Sequence, residues 1–411
     1  MITSGYSADP ENAWRIGAPI VSYFAGPGFP GGSELNDASA QQLAEGGWNL
    51  VWCREKELDV LTRHGLRGQL TDPILNPDSL EKPESRAALD AFIGRVRRHA
   101  GLYAYYLTDE PGTTLFPAWG KLVAYLREHD PEHLAYINLL PVGATNEQLG
   151  TTGNVVDAYK AYLRQYVDLV RPALLSYDQY QFKNSCDTSG YIQNLALMRG
   201  KAMATGLPFI NIVQACSWHP GQSAVPMASR VPTGNEMRYL AYTTLAYGAQ
   251  GISYYVYSYP GHVGGIALAD GSPTPLYHAL KTINREFIAI AKELQPLKSA
   301  EVFHAGMQPP GATPVPADFR FKVDPPVPAI DYVEGGRVQG ISFSTFGADE
   351  AAPTHLLVVN LDYKIKQTIR LTGPSMLEVF DASTREWSAK ASPYIDLQLA
   401  EGEGKLVRIH Q

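Results

Sequence analysis

Across the first three-quarters of the chain, short apolar runs alternate with longer stretches in which apolar residues recur every three or four positions. The short runs are Pro19–Ala25, Asn49–Cys53, Leu66–Thr71, Leu102–Leu107, Leu134–Leu140, Ala173–Tyr177, Pro208–Gln214 and Ile252–Tyr257. They are apolar almost throughout, as strands covered on both faces are. The longer stretches read as amphipathic helices over Glu34–Glu45, Glu57–His64, Ser79–Arg98, Pro117–His129, Val155–Val170, Tyr191–Thr205, Asn235–Tyr247 and Leu276–Leu297. Eight strand–helix units predict an α/β fold, a (β/α)8 TIM barrel, which takes about 250 residues plus insertions. A doubly wound sheet is the rival. No G-x-G-x-x-G follows the first strand to support its dinucleotide-binding version.

Near Ser299 the pattern changes. Gln308–Pro328 is rich in Pro, Gly and Ala and reads as loop. Short strands follow at Val338–Phe343, His355–Asn360, Thr368–Leu371, Met376–Phe380 and Leu406–Ile409, separated by turns. The expected organisation is a barrel over residues 1–300 and a C-terminal all-β sandwich over residues 301–411.

With 411 residues, 45% of them hydrophobic and 18% charged, the chain can bury a large core. A net charge of −7 argues against a nucleic-acid partner and against an anionic membrane surface. Cys53, Cys186 and Cys216 form no CxxC pair, so neither a zinc site nor a disulfide framework is indicated, and no metal or cofactor is expected. The segment Met1–Gly5 has neither a basic start nor an apolar run, so no signal peptide is read. The chain is then cytoplasmic, or secreted or periplasmic if a leader was removed. No 18-residue apolar stretch is available to span a membrane. Nothing in the sequence assigns an oligomeric state. The 24 Tyr outnumber the 13 Phe, and a ring with an apolar face and a polar tip suits polyhydroxylated ligands.

In a barrel, residues just past the C-terminal ends of the strands share one cleft. The segment Leu102–Pro111 stands out, because an aromatic strand runs into Asp109 and Glu110 and is stopped by Pro111. Two adjacent carboxyls at a buried strand end are costly unless used. Glu110 is the candidate general acid, with Asp109 beside it to raise its pKa; the plain alternative is capping of the next helix. Asp178, between Tyr177 and Tyr180, is the second candidate carboxylate, or else a turn former. Candidate substrate contacts are Asp72, Arg54, Glu55, Asn138, Tyr177, Tyr180, Gln214, Trp218 and Tyr257. His219 after Trp218 has no second His at ligand spacing, and Glu236 reads as a structural charge at a helix N-terminus. No G-x-S-x-G elbow is present, and Gly26–Gly32 lacks the Lys-Ser/Thr of a P-loop. Acids, amides and aromatic rings together fit a carbohydrate substrate.

These residues also carry a resemblance. The run through Thr108-Asp109-Glu110-Pro111 is similar to the Asn-Glu-Pro at the fourth strand of clan A glycoside hydrolases. The stretch from Val231 to Tyr255 resembles the helix and eighth strand of β-galactosidase-like, family 42-type members, and the strands after residue 330 resemble a glycosidase C-terminal β module. The resemblance implies a TIM barrel, hydrolysis of glycosidic bonds in an oligo- or polysaccharide, and an acid/base role for Glu110. Two positions depart from it. Asp109 replaces the Asn that contacts a sugar hydroxyl. Gln214 stands where the family's strand-seven nucleophile, a Glu, is expected. Three readings follow. Asp178 acts as base in an inverting reaction, at about 6.5–9.5 Å from Glu110 rather than the about 5–5.5 Å of retention. Or the substrate, a 2-acetamido sugar, supplies its own nucleophile, which the Asp109–Glu110 and Tyr177–Asp178 pairs echo. Or the protein binds carbohydrate without hydrolysing it.

Overall fold

The computed structural model describes residues 17–218, 229–349 and 351–410. Among these, eight parallel strands each precede a helix. The strands are β1 Ile20–Phe24, β2 Leu50–Cys53, β3 Arg67–Leu70, β4 Leu102–Asp109, β5 Leu134–Asn138, β6 Leu175–Gln179, β7 Phe209–Gln214 and β8 Gly251–Tyr255. The helices are α1 Asp37–Glu45, α2 Leu58–Arg63, α3 Pro83–Val96, α4 Phe116–His129, α5 Val155–Val170, α6 Gly190–Thr205, α7 Gly234–Ala246 and α8 Pro275–Leu294. All eight expected units are present, with ends shifted by a few residues. Caps set several starts. Asn36 accepts from Ser39 N before α1, and Thr233 with Glu236 forms a capping box before α7.

The strands form two parallel sheets, in the orders β1-β8-β7-β6 and β2-β3-β4-β5. The sheets touch at both seams. Asn49 N donates to Val21 O at 3.0 Å, and Leu139 N donates to Ser176 O at 2.9 Å. The Asn49 side chain spans the first seam too, accepting from Val21 N at 2.9 Å and donating to Pro19 O at 2.8 Å. All of β1, β2, β5, β6 and β7 is buried, as the unbroken apolar runs required. After β1 the chain turns at Gly28, where φ is +78° and a Cβ would sit 2.1 Å from Trp52 O, so only glycine lets this loop lie against β2.

The C-terminal strands are antiparallel: β9 Lys298–Gly306, β10 Lys322–Asp324, β11 Gly340–Gly347, β12 His355–Asn360, β13 Gln367–Asp381, β14 Ser392–Leu399 and β15 Gly404–Ile409. Their order is β9-β11-β12-β15-β13-β10, with β14 also on β13. The two expected strands at Thr368–Leu371 and Met376–Phe380 are one strand, β13. Its register breaks between Thr372 and Leu377, so its first part pairs β14 and its second pairs β15. Alternation divides the buried residues. Leu356, Val358 and Val407 build a separate core, while Leu357, Val359 and Leu406 join the core shared with the helices that follow the parallel strands. No helix among the described residues is long and apolar enough to cross a membrane.

Candidate active site

Successive residues of a strand normally point to opposite faces. At the end of β4 that rule is broken. Glu110 has φ of +47°, the left-handed region that a non-glycine residue enters at a cost, and its N–H donates to Asn138 O at 2.9 Å. The kink brings the carboxyls of both Asp109 and Glu110 into the neighbourhood of Asp178 on β6.

Asn138, the last residue of β5, organises the three acids. Its Nδ2 donates to Asp109 Oδ1 and to Asp178 Oδ1, each at 3.0 Å. Its Oδ1 accepts from Ser176 Oγ at 3.1 Å, which fixes the amide orientation, and Ser176 Oγ in turn meets Tyr136 Oη at 2.6 Å. Asp178 is also hydrogen-bonded to Glu110 and to the Tyr180 hydroxyl. Ionised carboxylates only accept, so a hydrogen bond between Glu110 and Asp178 requires a proton on one of them.

Burial and mutual charge raise all three pKa values. Asp109 is pushed up to about 7, first by desolvation, then by Asp178, with the Asn138 amide pulling the other way. Desolvation, then the charge of Asp109, raises Glu110. Asp178 is held well above the carboxylate range by burial and by Glu110. Asp178 is buried, whereas Asp109 and Glu110 remain reachable by water although protein surrounds them. That combination describes the floor of an open cleft. Among the described residues no Lys or Arg pairs with any of the three acids. Such a cluster can deliver a proton near neutrality and can accept hydrogen bonds from hydroxyl groups.

Of the expected site residues, Glu110, Asp109, Asp178, Asn138 and Tyr180 come together. Others do not. Tyr177 is wholly buried on the opposite side of β6 from Asp178, against Tyr191 and Tyr159, because neighbouring strand residues alternate. Gln214 is also fully buried and its amide is spent on backbone. Oε1 accepts from Phe182 N at 2.8 Å, and Nε2 donates to Phe182 O at 2.9 Å and Arg230 O at 2.6 Å. It clamps the loop after β6 to the far end of the loop after β7, with no donor left for a substrate. Glu55 forms a two-pronged ion pair with Arg95 of α3, at 2.7 and 2.9 Å, on the outer surface. Asp72 caps its own turn, accepting from Ile74 N at 2.9 Å, and its charge acts on Arg95. Arg54 starts the turn at Glu55–Glu57, and its charge falls on Glu34. Tyr257 is buried and accepts from Gln42 Nε2 at 2.8 Å. Trp218 lies in a two-residue strand paired with His262–Val263, and His219 falls outside the described residues. Glu236 is structural, capping α7 and pairing with Arg230.

Sequence reasoning missed Tyr136, Tyr106 and His262, and gave Ser176 and Tyr255, on β6 and β8, no role. Tyr106 lies close enough to feel the charges of all three acids. The Tyr255 ring packs on Tyr180 at 4.9 Å, and its hydroxyl meets His262 Nε2 at 2.9 Å. The period-two pattern of β4 and β6 pointed to Tyr106 and Ser176, while nothing local pointed to His262.

No protein-family model matches the chain, and no curated protein matches it. Solved structures do. A β-galactosidase from Bacillus circulans sp. alkalophilus is similar over 95% of this chain and 99% of its own, with TM-score 0.50 and 10% identity. A β-galactosidase from the psychrophilic Marinomonas ef1 is similar over 67% of this chain, with TM-score 0.48 and 12% identity. The chain spans only 60% of the length of that enzyme. A glucosidase from Croceicoccus marinus is similar over 97% of this chain and 98% of its own, with TM-score 0.45 and 9% identity. At these identities the likeness concerns the fold alone.

Proposed function

We propose that this protein is a glycoside hydrolase in which Glu110, sharing a proton with Asp178, protonates the glycosidic oxygen as the bond to it breaks. The carboxyl cluster carries this reading. Three acids converge at strand ends with no cation beside them among the described residues, and their raised pKa values keep a proton available near neutrality. Asp178 acts as the proton reservoir for Glu110. Asp109, oriented by Asn138, receives a substrate hydroxyl or the proton of the attacking water. The seam hydrogen bonds support reading the two sheets as one closed (β/α)8 barrel over residues 1–300, followed by a β module over 301–411. The likeness of Val231–Tyr255 to family 42-type enzymes belongs to the same proposal.

One observation favours a second reading, in which a 2-acetamido substrate supplies its own nucleophile. β7 and β8 end in Gln214 and Tyr255 instead of a carboxylate. Aryl glycosides assayed with and without a 2-acetamido group separate the two readings, since only the second requires it.

The test of hydrolysis itself is Glu110→Gln. It should lower kcat by about 10²–10⁴-fold while sugar binding by calorimetry persists. A wild-type protein that binds sugars but turns over no member of a broad aryl-glycoside and oligosaccharide panel is a binding protein, and the enzymatic reading then fails.

A further inference from the structure

A second cleft, of about 770 Å³, opens between the loop after β1, the start of α1 and the loop after β8. None of the three acids lines it. Its walls include Asn36, Gln42, Asp270, Tyr259 and His262. The size lies within the range of about 300–1,000 Å³ typical of small-molecule sites. Asn36 Oδ1 is used to cap α1, accepting from Ser39 N at 3.0 Å, while its NH2 group has no partner among the described residues.

A line of rings joins this cleft to the acids. Tyr180 bonds Asp178 and packs on Tyr255 at 4.9 Å; Tyr255 meets His262 at 5.3 Å; His262 meets Tyr259 at 5.8 Å. All four are half-buried, so each keeps part of its surface to solvent. Their order is held by hydrogen bonds. His262 Nε2 meets Tyr255 Oη at 2.9 Å, His262 Nδ1 meets Pro260 O at 3.1 Å, and Tyr259 Oη donates to Pro30 O at 3.2 Å. Half-exposed rings in series take the C–H faces of successive sugar units, and a cleft lined by amide, imidazole and carboxylate groups takes their hydroxyls.

We propose that the 770 Å³ cleft is a distal saccharide subsite. The substrate is then an oligosaccharide that runs from the acids along Tyr180, Tyr255 and His262 to Tyr259. This rests on the glycosidase reading for its chemistry, but binding tests it separately.

The full-length Glu110→Gln protein is titrated calorimetrically with two ladders, cellobiose to cellohexaose and galactobiose to galactohexaose. Affinity should climb with chain length along one ladder. Adding Tyr259→Ala or Asn36→Ala should remove the gain at the long end, by about tenfold for the ring. In the otherwise wild-type enzyme, Tyr259→Ala should lower the ratio of kcat/KM on the longest substrate to that on an aryl monoglycoside by a similar factor. Asn36→Ala, which leaves the ring line intact, should lower the same ratio. Affinity that does not rise along either ladder overturns the subsite, and so does an unchanged ratio in both variants. A wild type that turns over nothing yet shows length-dependent binding overturns the hydrolase reading and leaves the subsite standing.

Discussion

Two groups of acids in this molecule solve the same electrostatic problem in opposite ways. At the strand ends Asp109, Glu110 and Asp178 crowd together with one another, an amide and a tyrosine as partners. Behind the loops after β6 and β7, Asp187 and Glu236 share Arg230, whose guanidinium lies 2.7 Å from Glu236 and 3.5 Å from Asp187. Tyr363, from the C-terminal sheet, donates to Asp187 Oδ2 at 2.7 Å, and Asp362 takes Arg337 at 3.0 Å. The second group ties loops of the parallel strands to the C-terminal strands. Its charges are answered by opposite charges. The first group's charges are not, and the fold bears that cost. Acids without an answering cation among the described residues are what single out the candidate site, and compensated acids belong with the scaffold.

Removing the answering cation should break the contrast most strongly. Arg230→Met leaves Asp187 and Glu236 buried without their partner and should cost about 3 kcal/mol or more of stability in urea unfolding. A loss under about 1 kcal/mol would class the trio with exposed pairs and erase the distinction.

His304 sharpens the comparison from the scaffold side. It is fully buried, meets Tyr247 Oη at 2.9 Å, and burial lowers its pKa to about 4 from 6.5. A lowered folded pKa means that the unfolded chain takes up the proton first. The stability contribution is therefore whole above pH 6.5 and is lost as pH falls towards 4. Over that window His304 should account for a loss of about 2–3 kcal/mol, and His304→Gln should flatten the slope of unfolding free energy against pH. An unchanged slope would place the acid sensitivity elsewhere.

The smallest effect is expected at the site itself, with the opposite sign. Asp109 has its pKa raised to about 7, so the folded state holds the proton more tightly. Its contribution is whole below about pH 4 and is lost as pH rises through about 7. Asp109→Asn should therefore raise Tm by about 1–3 °C at pH 8 and by less at pH 5. Equal shifts at both pH values would mean that Asp109 is not strained by its neighbours.

Part of this was readable along the chain. Apolar runs separated by helix-period stretches gave all eight strand–helix units, and Val155–Val170 was placed to the residue. An Asp-Glu pair ending an aromatic strand pointed to the acid cluster, because local pattern and strand-end position are both sequence properties. Asp178 and Asn138 followed from the same rule. Tyr177 did not, because a slip of one residue at the end of β6 exchanges the buried face for the cleft. Gln214 was read off the end of strand seven, but its amide proved to be spent on Phe182 and Arg230, which are remote in sequence. Glu55 met Arg95 forty positions away, on the outer surface.

The sequence by itself determined the strand–helix alternation, the all-β character of the C-terminal strands and the strand ends that carry acids, because side-chain period and apolar content act locally. Only the tertiary structure decided that Glu110 takes a left-handed kink and that Asn138 joins Asp109 to Asp178. It alone decided that Glu110 and Asp178 act on one another, and that rings just past β6, at the end of β8 and in the loop beyond line up towards a second cleft. These are contacts between residues tens of positions apart, and their energies depend on distance and desolvation, which no local pattern encodes.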